Sequence, residues 1–251
     1  MNAMHTEIIA HRGASFDAPE NTLSSLRLGY QQNADACEVD VHLTKDGQVV
    51  VFHDEDTARI AGVSNRIVER TFAELQQLEI GQWGKWKGKG FSERIAALEE
   101  ALALVPKGSR LFIEIKGGPK ILEPLAKALA ASGKSPEQTV LIGFDYETMQ
   151  AAKTDLADHI VCWVVEPHVA RRGYPPVQEL IRKAQAAGFD GLDLSKRFPI
   201  DPSFTEMVHE AGLKLYTWTV DDVATARKLA AAGVDGITTN RPGWLREQLA
   251  K

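Results

Sequence analysis

Short runs of β-branched and apolar residues alternate with Ala- and Leu-rich stretches of helical period along almost the whole chain. The candidate strands are Glu7–Ala10, Cys37–Leu43, Val49–Phe52, Leu111–Ile115, Thr139–Ile142, Ile160–Val165, Gly191–Leu194, Lys214–Trp218 and Gly236–Thr239. Between most of them lie the amphipathic segments Asn21–Gln32, Leu98–Leu104, Ile121–Ala131, Val177–Ala187, Pro202–Ala211 and Val223–Ala232. A helix must cover its apolar stripe and a strand must be paired, so sustained alternation predicts a parallel sheet with helices outside it. A length of 251 residues suits closure of such a sheet into one (β/α)8 TIM barrel. Two junctions nearly repeat, Ala186-Ala187-Gly188-Phe189-Asp190-Gly191 and Ala231-Ala232-Gly233-Val234-Asp235-Gly236. Each reads as a helix ended by glycine and followed by a strand, one βα unit recurring.

The rhythm breaks once. Between His53 and Leu98 it loosens into Asp54–Asn65, a short helix near Phe72–Leu78, and a Gly-, Lys- and Trp-rich stretch from Gly81 to Gly90. That composition is unlike a barrel helix. The expected architecture is therefore an α/β fold, a (β/α)8 TIM barrel with a small insertion after the second strand. Residues 1–251 form one domain, and residues 54–97 an inserted small subdomain over one mouth of the barrel, where loops carry function.

A net charge of −5 gives no overall footprint for nucleic acid or an anionic membrane, so neither is an expected partner. No run reaches the roughly 18 apolar residues of a spanning helix. Ile8-Ile9-Ala10 is too short for a signal-peptide core, which leaves no stable membrane insertion and the cytoplasm as the expected location. Cys37 and Cys162 are too few for a disulfide framework to hold the fold.

The second barrel strand reads Cys37-Glu38-Val39-Asp40-Val41-His42-Leu43. Side chains alternate across a strand, so Glu38 and Asp40 share one face while Cys37, Val39 and Val41 take the other. In the third, Ile113 and Ile115 face the helices, and Glu114 and Lys116 face inward. Three carboxylates buried together are very costly unless something neutralises them. A hard divalent cation with oxygen ligands, Mg²⁺ or Ca²⁺, does so at Glu38, Asp40 and Glu114. The alternative is a buried ion-pair cluster with Lys116 and Arg12.

His11 ends the first strand and is followed by Arg12-Gly13; His53 follows Val49–Phe52 and precedes Asp54. Phosphodiester cleavage needs a base for the attacking oxygen, an acid for the leaving alkoxide, and positive charge around phosphorus. Imidazoles supply the first two near neutral pH, typically worth ~10²–10⁴-fold. Arg12, Lys116 and the cation supply the third. Gly13 permits either close approach to a ligand or a turn. His42 reads as a surface residue at its strand's end; His5, His159 and His209 sit in no cluster, and His168 falls in a loop on the functional face. Pro19-Glu20-Asn21-Thr22 reads as a turn and helix start, with Asn21 or Thr22 as cap. Trp218 sits at the same mouth, against either a ligand's carbon skeleton or the core. Trp83 and Trp86 line the insertion or anchor it.

In order along the chain, His11-Arg12-Gly13, Pro19-Glu20-Asn21-Thr22, Glu38-Val39-Asp40-Val41, Asp46-Gly47 and His53-Asp54 resemble the N-terminal signature of the glycerophosphodiester phosphodiesterases. The resemblance continues through Leu75–Gly81, Glu93-Arg94-Ile95, Leu98–Leu102, Glu114-Ile115-Lys116, Trp218-Thr219-Val220 and Gly233–Gly236. It implies a TIM barrel that hydrolyses small glycerophosphodiesters to glycerol 3-phosphate and an alcohol. It implies Mg²⁺ or Ca²⁺ at Glu38, Asp40 and Glu114, His11 and His53 as the acid–base pair, and Arg12 and Lys116 on the phosphate. Attack by the glycerol 2-hydroxyl, through a cyclic phosphate, and attack by water both suit these residues. Lysophospholipids or another phosphodiester are the alternative substrates, and a silent phosphodiester-binding barrel the alternative without catalysis. Three features depart from the family pattern: Asp221 in place of Asn, Ala96 in place of Pro, and Thr57–Gly62 after His53-Asp54.

Overall fold

The computed structural model describes residues 6–167 and 173–251; His5 and His168 lie outside them. The strands are β1 (Glu7–Ala10), β2 (Ala36–Leu43), β3 (Val49–Val51), β4 (Ala96–Ala97), β5 (Arg110–Ile115), β6 (Thr139–Gly143), β7 (Ile160–Val165), β8 (Gly191–Ser195), β9 (Lys214–Trp218) and β10 (Gly236–Thr239). Eight of these, β1, β2 and β5 to β10, run parallel, and β10 pairs back onto β1 to close the ring. The helices are α1 (Leu23–Gln31), α2 (Ala58–Ala61), α3 (Phe72–Leu75), α4 (Leu98–Ala103), α5 (Leu122–Ala131), α6 (Tyr146–Asp155), α7 (Val177–Ala187), α8 (Pro202–Glu210), α9 (Val223–Ala232) and α10 (Pro242–Leu249). This is the expected (β/α)8 TIM barrel.

Alternation along each strand sorts the side chains into two cores. Cys37, Val39, Val41, Leu111, Ile113 and Ile115 pack between sheet and helices. Ile9, Ala36, Phe112, Val140, Cys162 and Tyr216 fill the barrel itself. Phe112 and Tyr216 meet edge to face at 5.1 Å, and Arg110 is ion-paired to Glu7 beside them. The interior is thus plugged by apolar side chains, and the polar ones crowd the opposite, C-terminal mouth. The two repeated junctions do end helices: α7 and α9 stop at Gly188 and Gly233, whose φ values of 71° and 87° suit glycine.

After the second strand of the barrel the chain leaves the ring. β3 turns back antiparallel to β2, and β4 pairs with β3. Between them Phe52, Ile60, Ile67, Leu75, Ile80 and Ile95 form a small apolar cluster of their own. Sequence reading missed β4, α6 and α10. α6 buries only Thr148, Met149 and Ala152, too thin a stripe to read as amphipathic. α10 opens on Pro242-Gly243, which looks like a breaker but is tolerated in a first turn.

Both cysteines are free and buried. No helix of the described residues is long and apolar enough to cross a membrane. Because Phe112 is fully buried in the barrel floor, Phe112→Ala is expected to destabilise the fold by about 3–5 kcal/mol. Chemical denaturation followed by tryptophan fluorescence measures this; a loss under about 1 kcal/mol would show that the floor repacks.

Candidate active site

Strand geometry delivers three carboxylates to one place. Glu38 and Asp40 project inward from β2, and Asp40 lies in register beside Glu114 of β5. All three are buried. An oxygen from each falls within 4.8 Å of the others. Two cations lean on them. The Arg12 backbone N–H donates to Glu38 Oε2 at 2.8 Å, and Arg12 Nε lies 3.1 Å from Asp40 Oδ2. Lys116 Nζ stands 3.0 Å from Asp40 Oδ1 and is ion-paired to Glu114.

Two positive charges do not balance three buried negative ones. Burial, then the charges of Asp40 and Glu114, push Glu38 well above the usual carboxylate range. Burial and Asp40 likewise raise Glu114 to about 7. Burial also opposes ionisation of Asp40, but Lys116 and Arg12 outweigh it and hold Asp40 at about 2. Glu38 Oε1 is buried without a hydrogen-bond partner among the described residues.

Asn21, read from sequence as a helix cap, belongs to this cluster. Thr22 is the cap, accepting from Ser25 N. Asn21 is buried and left-handed, with φ 55°. Its amide donates to Asp40 Oδ2 at 2.8 Å and accepts from the Asp40 N–H at 3.2 Å. The turn itself requires glycine at position 13: at φ +76°, a Cβ there would stand 2.4 Å from the Ser25 carbonyl carbon.

The two imidazoles are held differently. His11 Nδ1 is 2.8 Å from Asn240 Oδ1. The Asn240 amide cannot be turned round, because its Nδ2 donates to Asp221, which only accepts, and its Oδ1 already accepts from Ser15 Oγ. His11 therefore carries its proton on Nδ1 and leaves Nε2 as an acceptor. Burial, then the Arg12 charge, lower its pKa to about 4, so the ring is neutral near pH 7. His53 Nδ1 instead meets the Asp54 carboxylate at 2.5 Å. Arg59 grips Asp54 at 2.6 Å and Glu20 at 2.7 Å, and Glu20 reaches Arg12 at 2.9 Å. A chain of alternating charge thus joins the insertion to the carboxylate cluster.

His42 is buried, contrary to its reading as a surface residue. Its Nε2 donates to the His53 carbonyl at 3.0 Å and braces that turn. His209 and His159 bond Asp235 and Thr139 near the N-terminal ends of the strands.

Two pockets meet at His11 and Arg12. The inner, of about 100 Å³, also contains His53, Glu38, Glu114, Lys116, Asp193 and Trp218. Trp218 stacks edge to face on Phe144 at 5.5 Å and donates to the Asp193 carbonyl at 3.3 Å. The outer, of about 420 Å³, opens between the barrel and the insertion, with Phe16, Trp83 and Trp86 in its wall. Lys85 lies over the Trp86 and Phe16 rings at 4.4 and 4.5 Å.

Residues 11–244 match the model of the glycerophosphoryl diester phosphodiesterase family. The glycerophosphodiester phosphodiesterase of Caldanaerobacter subterraneus is 33% identical over 252 residues, covering 95% of this chain and 96% of that protein. A glycerophosphodiester phosphodiesterase of Bacillus subtilis is 28% identical over 258 residues, covering 93% of this chain and 83% of that protein. A phosphodiesterase of Oleispira antarctica, solved in complex with the product sn-glycerol-3-phosphate, matches with a TM-score of 0.85 at 27% identity over 98% of this chain and 97% of that one. This chain is thus a phosphoric diester hydrolase on a TIM barrel. It belongs to the glycerophosphoryl diester phosphodiesterase family.

The tautomer of His11 is open to direct observation. In ¹⁵N-labelled protein near neutral pH, the Nδ1 resonance is expected to be that of a protonated nitrogen and the Nε2 resonance that of an unprotonated one. Asp221→Ala frees the Asn240 amide to rotate and should mix the two tautomers. An unchanged spectrum would remove Asp221 from the positioning of His11.

Proposed function

We propose that the protein hydrolyses small glycerophosphodiesters to sn-glycerol 3-phosphate and an alcohol, with a divalent cation at Glu38, Asp40 and Glu114. The convergence of these three buried carboxylates with two differently held imidazoles on one pocket carries this reading. The oxygen-only donor set suits Mg²⁺ or Ca²⁺. The unpartnered Glu38 Oε1 and the raised pKa values of Glu38 and Glu114 fit a site built around positive charge. Such an ion supplies Lewis acidity toward a phosphoryl oxygen and favours ionisation of a bound hydroxyl.

The chain's own groups supply the rest. His11 Nε2, the unprotonated nitrogen of a neutral ring, takes the proton of the attacking oxygen, whether the glycerol 2-hydroxyl or a water. His53, oriented by the Asp54 carboxylate on its Nδ1, protonates the leaving alkoxide. Arg12 and Lys116 hold the phosphoryl oxygens and offset the charge that develops on them. Trp218 packs against the carbon skeleton, and the outer pocket beside the insertion has room for the released alcohol. The small inner pocket favours a small diester over a lysophospholipid, whose acyl chain it does not fit.

A panel of glycerophosphodiesters (choline, ethanolamine, glycerol, inositol) assayed for glycerol 3-phosphate tests the reaction. Chelation is expected to abolish turnover, and Mg²⁺ or Ca²⁺ to restore it. His53→Ala should lower kcat by about 10²–10⁴ while the protein stays folded. Undiminished activity after thorough chelation, or near-normal activity in His53→Ala, contradicts the mechanism.

The pH dependence has a definite sign. Glu114, at about 7, and Glu38, also raised, must each lose a proton to ligate. As pH falls below about 7, protons compete with the ion. The half-activating metal concentration should therefore rise, by about tenfold per unit for each proton displaced. Metal activation independent of pH between 5 and 8 would show that these carboxylates are not the ligands.

A further inference from the structure

Asp193 is an inward-facing carboxyl to which the reaction gives no task. It lies in β8, between Leu192 and Leu194, which point outward into the sheet–helix core. Its side chain is 2% exposed. Among the described residues, Oδ1 has no hydrogen-bond partner and no cation pairs with it. It lines the inner pocket together with Glu114, Ile142, Phe144, Val164 and Trp218. Leaving a buried polar group of this kind unmet is costly, and here no bond to a described residue repays the loss at Oδ1. The surrounding wall is otherwise apolar on that side. It offers a surface for C–H groups and one isolated point for a hydroxyl.

We propose that Asp193 receives the terminal hydroxyl of the substrate's glycerol unit and so restricts the enzyme to diesters in which that hydroxyl is free. The inference rests on the phosphodiesterase reading above and extends it to substrate choice. With the phosphoryl group between Arg12 and Lys116, the pocket of about 100 Å³ leaves room for a three-carbon unit running toward Ile142, Val164 and Trp218. The far carbon of that unit bears the hydroxyl that meets the Asp193 carboxyl. An acyl ester on the same oxygen removes the proton and adds a chain that the pocket does not fit. Asp193 thereby acts as a specificity group, separate from the residues that move protons.

Calorimetric binding of sn-glycerol 3-phosphate and of its analogue lacking the terminal hydroxyl (propane-1,2-diol phosphate) tests this with Mg²⁺ or Ca²⁺ present. The wild type is expected to bind the glycerol compound about tenfold to a hundredfold more tightly. Asp193→Ala should lose that preference, bind the deoxy compound as the wild type does, and keep or raise the melting temperature. Asp193→Asn, which can still bond a hydroxyl, should retain most of the preference. Equal wild-type affinity for the two ligands overturns the proposal. So does an Asp193→Ala protein that melts earlier and loses both ligands alike, since that marks a structural residue. Turnover of the diester panel tests the underlying reaction separately: a protein with the predicted binding preference but no turnover would sink the reaction and spare the role of Asp193.

Discussion

Three carboxylates buried against one another set the terms for everything at the barrel mouth. Removing even one ionised carboxylate from water is costly, and like charges at close range add to the penalty. The protein answers only in part. Lys116 and Arg12 hold Asp40 ionised at about 2, whereas Glu114 rises to about 7 and Glu38 is also raised well above the usual carboxylate range. The remaining imbalance is what the proposed cation would neutralise. The backbone bends to build it: Arg12 and Asn21 both adopt left-handed conformations, at φ 55° each. Those two turns aim the Arg12 N–H at Glu38 and the Asn21 amide at Asp40.

Around this cluster the two imidazoles are held by different partners. His11 is buried, lies near Arg12 and bonds a neutral amide, so it stays an unprotonated acceptor. His53 is oriented by the Asp54 carboxylate on its Nδ1. Both line the same small pocket. Asp221, the departure from the family's usual Asn, fits this arrangement, because a carboxylate there accepts three hydrogen bonds from Thr239 and Asn240 and fixes the amide that faces His11. The insertion contributes through Arg59, which links Asp54 back to Glu20 and Arg12.

Much of this was legible in the sequence, because barrel strands are short and their two faces differ in chemistry. The alternation Glu38-Val39-Asp40-Val41 and Ile113-Glu114-Ile115 places the carboxylates inward with no further information. What escaped depended on contacts between distant segments. Asn21 looked like a cap because its neighbour Thr22 is one, and nothing local announces its bond to Asp40, 19 residues on. His42 looked exposed because it lies near its strand's end, yet β3 pairs alongside it and the turn that follows β3 supplies the His53 carbonyl. Asp193 reads as an ordinary inward position in a barrel strand; only coordinates reveal that its buried Oδ1 has no partner among the described residues. An asparagine that must adopt positive φ is itself a signal, since only a few residue types do so readily.

The central claim is that Glu38, Asp40 and Glu114 together hold one divalent ion beside His11 and His53. A crystal grown with Ca²⁺ and measured at long wavelength, where calcium scatters anomalously, tests it most directly. The account predicts one strong peak, about 2.3–2.6 Å from an oxygen of each of the three carboxylates. Crystals from conditions that support turnover, with no peak at that point, would contradict it.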